Sequence, residues 1–169
     1  MAHLDSNATL HPLTILQYLA LIHKVSYSNV CREVGLTPQQ FSDWVKKRRP
    51  VPKERLQALA GFFKVDTNLL VDEKHYLRDL SPEAKIDVQI LFLDQMLKNE
   101  GENNDTEGYR DKLERLQREK RKQALISRFT TILDQEDRHV EKLCIAFMDH
   151  MEHGRANILE QLLTAEGDE

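Results

Sequence analysis

The chain has 169 residues, 40% of them hydrophobic and 31% charged, with a formal net charge of −4. That length accommodates one domain with an appendage, or two small domains, and the composition suits a helical protein in water. No apolar run approaches the roughly 18 residues that a membrane span needs, and the opening "MAHLDSNATL" has no basic start leading into an apolar stretch, so neither a span nor a secretory signal is expected and the expected location is cytoplasmic.

The apolar period Leu13, Leu16, Leu19, Ala20, Ile22 predicts a helix from His11 to His23, with Pro12 in its first turn. Ser26 is placed to cap a second helix running through Glu33, which Gly35 ends by adopting a positive φ. Thr37 caps a third, whose first residue is Pro38, and "RRPVP" interrupts the chain after it. A fourth helix begins near Pro52 and turns Leu56, Leu59, Ala60 and Phe63 inward. Asp66 or Thr67 caps a short fifth, with Leu69 and Leu70 toward the core.

Residues 72–80 ("DEKHYLRDL") read as a linker. Ser81-Pro82-Glu83 starts a new helix reaching about Asn99, and the Gly-, Asn- and acid-rich stretch at about 99–108 is the clearest loop. "DKLERLQREKRKQ" is polar nearly all round and offers i,i+4 ion pairs, as a solvated helix does. The apolar pattern returns from Leu125 and ends in an amphipathic piece after Gly154, with Ile158, Leu159, Leu162 and Leu163. No stretch reads as a strand. The expected architecture is all-α: a five-helix domain over 1–71, the linker 72–80, and a helical oligomerisation region over 81–169.

The charge is unevenly spread. Up to Val71 there are nine Lys/Arg against five Asp/Glu; beyond it there are fifteen against twenty-three. The positive part suits a polyanion and the negative part suits solubility and self-association. Within the positive part, placing Phe41 on the core side of the third helix puts Trp44 and Val45 beside it. Gln39, Asp43 and Lys46 then lie opposite, with Gln40 and Lys47 at the flanks, and Lys46, Lys47, Arg48 and Arg49 gather at the C-terminal end. A helix in the DNA major groove meets base edges with its N-terminal outer face. A glutamine amide matches the N6/N7 edge of adenine, and cations at the far end neutralise phosphates without reading sequence.

The stretch "SYSNVCREVGLTPQQFSDWVKKRRPVPKERLQALAGFFKVDTNLL" resembles the helix-turn-helix of the Cro/CI-like (XRE) transcription regulators, the resemblance covering roughly residues 10–71. Cys31 stands at the small buried position of the first motif helix, Gly35 at the turn, and Phe41 and Trp44 at the buried positions of the recognition helix; "PQQ" is similar to the recognition-helix start of lambdoid phage repressors. The resemblance implies a lambda-repressor-like fold that binds double-stranded DNA, with Gln39, Gln40 and Asp43 facing bases. It implies backbone contacts by Tyr27 and Ser28 at the start of the first motif helix, and by Thr37, Lys46, Lys47, Arg48, Arg49 and Lys53. Where the family often has Glu-x-Gly after the tryptophan, this chain has Val45-Lys46-Lys47, which makes the site more basic.

Readers of this type mostly engage two half-sites by two-fold symmetry. Leu91, Leu93 and Leu97, with Phe129, Ile132, Leu133, Val140, Leu143, Phe147 and Met151, supply apolar helix faces for a dimer or a tetramer. An antirepressor protein or peptide is left open as a further partner. His139, His150 and His153 with Cys144 and Asp149 lack a second pair at ligand spacing, so no metal is expected, and the two cysteines, Cys31 and Cys144, read as reduced and structural. Without a phosphate loop, a nucleophile elbow or a Cys/His pair in context, no enzyme and no cofactor are expected. The expected function is a sequence-specific transcription regulator, a repressor of bacterial or mobile-element origin. The alternative is an antitoxin or plasmid-processing accessory protein that holds a protein partner through its acidic helical half.

Overall fold

In the computed structural model, which describes residues 12–99 and 106–165, the chain enters its first helix through a capping box. The Thr14 hydroxyl accepts from the Gln17 N–H at 3.2 Å and the Gln17 amide oxygen accepts from the Thr14 N–H at 3.0 Å. This starts α1 (Ile15–Ile22) later than the apolar period suggests, because Leu13 is drawn into another pairing: its carbonyl accepts from Leu80 N–H at 2.7 Å. Leu13 is accordingly exposed rather than inward, and His11 lies outside the described residues.

Next come α2 (Tyr27–Val34), α3 (Pro38–Val45), α4 (Lys53–Phe63), the single turn α5 (Thr67–Leu70) and α6 (Pro82–Asn99), then α7 (Thr106–Leu133), α8 (Arg138–Glu152) and α9 (Ala156–Ala165). The described residues are all-α, with two isolated β-bridges and no strand. The expected loop at about 99–108 falls mainly on residues 100–105, outside the described residues, as do the side chains of Leu162 and Leu163. The chain divides inside α7 into two units, Met1–Lys120 and Arg121–Glu169.

The first unit has one interior. Ile15, Leu16 and Leu19 of α1, Val30 and Val34 of α2, Phe41 and Trp44 of α3, and Leu56, Leu59 and Phe63 of α4 fill it, with Leu70 beneath. Local signals fix the element ends. Ser26 Oγ accepts from Asn29 N–H at 3.1 Å, and Asp66 Oδ1 from Asn68 N–H at 2.8 Å.

Residues 72–80 are not a linker. Asp72 Oδ1 accepts from both Lys74 N–H and Tyr76 N–H, closing a tight turn that returns Leu77 against Val71. Leu77 is only 1% exposed. Arg78 N–H then donates to Leu70 O, Ile15 N–H to Arg78 O, and Val51 N–H to His75 O, so the segment laces α5, α1 and the start of α4 together. Burying Leu77 and satisfying these backbone groups holds the strap in place.

Nor does α6 stand apart as an oligomerisation element. Ala84 and Val88 join the same core, and Leu93, expected on an interface, is 3% exposed within this unit; Leu97 is half-buried and Leu91 exposed. Gln89 donates to Tyr18 Oη at 2.8 Å. The Gln95 amide donates to Phe63 O and Lys64 O at 3.2 and 3.0 Å, satisfying carbonyls that the end of α4 leaves unpaired. Phe92 and Phe63 meet the His23 ring edge-on, with centroids 5.0 and 5.4 Å away.

The second unit is built differently. Its helices are well delimited: Asp137 caps α8 through His139 N–H and Val140 N–H, and Gly154 ends it at φ 69°. Yet neither α7 nor α8 contains a buried residue.

Three outcomes follow from the first unit. Leu77→Ala should lower its stability by about 2–5 kcal/mol in urea unfolding followed by Trp44 fluorescence, and truncation after Val71 should abolish the cooperative transition that truncation after Lys120 keeps. Burial holds the His23 imidazole below its ordinary 6.5. The unfolded chain therefore takes up the proton first, so the stability this ring contributes is complete above pH 6.5 and drains away as pH falls through the lower folded value. His23→Phe should flatten the fall in urea midpoint between pH 7 and 5; an unchanged slope would refute this.

Candidate nucleic-acid interface

Between α2 and α3 the chain must reverse direction within a few residues. Gly35 does this at φ 70°, and the Arg55 guanidinium from α4 donates to Val34 O at 2.9 Å beside it. Leu36 is buried directly after the turn. Thr37 then opens α3 with a capping box: its hydroxyl accepts from Gln40 N–H at 3.2 Å and the Gln40 amide oxygen accepts from Thr37 N–H at 3.0 Å. Pro38 suits the first helical position, where no donor is needed.

Phe41 and Trp44 are buried and Val45 half-buried, so the inner face of α3 is fixed by the core. Gln39 and Asp43 fall on the opposite face, four residues apart, and Gln39 Nε2 donates to Asp43 Oδ1 at 3.0 Å. Arg48 Nη1 approaches the same oxygen at 3.4 Å. Gln39 is exposed, and this bond uses one N–H of its amide, leaving the second N–H and the oxygen over as a donor and an acceptor. Asp43 is thereby occupied by two donors and acts as the group that orients them.

Gln40, expected to face bases beside Gln39, is engaged differently. Its amide oxygen is turned back into the cap, leaving only its N–H groups to offer. The pattern Thr-x-x-Gln at Thr37–Gln40 is itself a capping-box signature, and that signal was present in the sequence. Ser42 was missed by sequence reasoning. By helical spacing it lies next to Gln39 on the outer side, and with Tyr27, Ser28, Pro38, Phe41 and Val45 it lines an open hollow of about 260 Å³. The Tyr27 ring, itself exposed, lies over Phe41 at 4.9 Å. Cys31 lies at the bottom, where burial pushes its thiol pKa up, as suits a packing residue more than a reactive one.

The expected cations divide into two groups. Lys46, Arg49 and Lys53 are exposed, beside the end of α3 and at the start of α4. Lys47, at φ 53°, instead points its ammonium at Asp79 of the strap, 2.6 Å away, and Arg48 leans on Asp43. Surface pairs of this kind contribute little to stability, but they reduce the charge free to meet an anion. Elsewhere, Asp149, His150, His153 and Arg155 line a surface hollow; among the described residues no three His, Cys, Asp or Glu side chains converge as a metal site would require.

Comparison with known proteins finds no matching family model, no matching curated protein and no matching solved structure.

The two glutamines should separate on substitution. Gln40→Ala should cost about 0.5–1.5 kcal/mol of stability by removing the return bond of the cap, while Gln39→Ala, exposed and outside the cap, should leave the urea midpoint within measurement error. Equal losses would contradict the division of roles.

Proposed function

We propose that this protein is a sequence-specific DNA-binding transcription regulator that reads the major groove with α3. The observation that carries the proposal is the α3 surface: Phe41 and Trp44 anchor one face in the core while Gln39, held by Asp43, presents its amide on the other. The exposed Lys46, Arg49 and Lys53 sit where a helix docked in the groove would pass the phosphate backbone. The resemblance of residues 10–71 to Cro/CI-like regulators supports the same docking. In this reading Gln39 and Ser42 meet base edges, Asp43 positions Gln39, and Tyr27, Ser28 and Thr37 contact phosphates. Repression is the favoured output, because an oligomer on an operator obstructs polymerase, and a bacterium or mobile element is the favoured origin on the resemblance alone.

A second reading rests on the second unit, whose exposed apolar side chains suit a protein partner. An antitoxin or plasmid-processing accessory protein would keep the basic face and hold another protein there.

Selection of bound fragments from a random duplex pool, followed by gel shift, tests the first reading. Gln39→Ala should cost about 1–3 kcal/mol at one base pair per half-site and relax the preference there. Lys46→Ala with Arg49→Ala should weaken all duplexes alike, each lost phosphate contact reducing the slope of log affinity against log salt by about 0.9. Lys47→Ala should reduce it less, since Asp79 already holds that ammonium. Enrichment of no sequence at low salt would reject sequence-specific reading and leave the accessory role.

A further inference from the structure

The second unit carries an unusual contradiction. Its helix α8 is capped at both ends, yet among the described residues of the unit none is buried. Leu125, Ile126, Ile132 and Leu133 of α7, Leu143, Ile145, Phe147, Met148 and Met151 of α8, and Ile158 of α9 are each between 39% and 63% exposed. On α8 the spacing Val140, Leu143, Cys144, Phe147, Met151 is one helical stripe. A helical unit this short gains little stability from propensity alone and needs an apolar face covered to persist.

We propose that the unit beginning at Arg121 is a self-association element that acquires a hydrophobic interior only when a second copy of this chain supplies it. Three observations select a second copy as the occupant. First, the stripes on α7 and α8 are of similar character and both uncovered, so two copies can close over one another as an isologous pair. Second, the area is adequate: a stable interface takes about 800 Å² from each partner, and the large apolar side chains on the α7 and α8 stripes, each roughly half exposed, approach that order. Third, residues 121–169 carry six Lys/Arg against ten Asp/Glu, so both signs are present: the slight acidity disfavours a polyanion without supplying the strong single-sign charge that would select an oppositely charged protein. Leu143 and Phe147 lie mid-stripe, where the energetic centre of such an interface falls. Folding and pairing of this unit are one event, so its helix content depends on protein concentration. The inference stands whether or not α3 reads DNA.

The full chain provides its own probes. Trp44, the only tryptophan, is buried in the first unit and reports that unit alone; Cys144 lies on the α8 stripe of the second, while Cys31 is buried in the first. On dilution, the mass should halve from twice 19.7 kDa to 19.7 kDa. Helical circular dichroism should fall and Cys144 alkylation accelerate over the same concentration range, with Trp44 emission unchanged. Phe147→Asp and Leu143→Asp should give the 19.7 kDa species throughout, with Trp44 emission intact, and Phe147→Leu should retain the pair. A monomer whose helix content holds at every dilution would overturn the proposal and mean that another protein covers this face. A pair that survives both aspartate variants, or Cys144 reactivity that ignores concentration, would overturn it equally.

Discussion

The rotation of α3 about its own axis is set by two side chains. Phe41 and Trp44 cannot leave the core without exposing large apolar surfaces, and an α-helix allows no independent choice of where the remaining residues point. Everything distinctive about the outer face follows from that anchoring: Gln39 and Asp43 share a side at i,i+4 and bond to each other, Ser42 stands beside them, and the basic residues emerge past the helix end. The proposed reading of DNA is an interpretation of this surface.

The first unit secures that face with contacts drawn from distant parts of the chain. The strap after α5 returns Asp79 to Lys47, and α6 seals α1 and α4 through Gln89 and Gln95. A shorter domain ending at Val71 would lack Leu77, Ala84 and Val88 from its interior. The candidate interface is therefore a property of a larger body than the helix-turn-helix stretch alone.

What could be read from sequence was local. Ser26, Thr37 and Asp66 act on neighbours two or three residues away, and the helices they start were legible for that reason. The inward faces of α3 and α4 were legible because their apolar spacing has a helical period. Residues 72–80 were misread because their polar composition looks like a connector; the one informative residue, Leu77, is recognisable only once Val71 is known to lie opposite it. The period of α6 was recognised but its destination was not, since periodicity reports that a face is buried and not against what. Lys47–Asp79 spans 32 residues, beyond any local rule, whereas the capping use of Gln40 was within reach and lost to the expectation that an exposed amide faces outward.

Two glycines with nearly the same backbone angle face different futures under mutation. Gly154, at φ 69°, has open space where a side chain would grow, so a residue such as asparagine that tolerates left-handed backbone can replace it at modest cost. Gly35, at φ 70°, has the Arg55 guanidinium 3.1 Å from the position of an added carbon, so a replacement must both adopt the left-handed backbone and displace the group that holds the end of α2. Drift at Gly35 is thus opposed by two separate costs, a strained backbone and a shift of a few tenths of an ångström at Arg55.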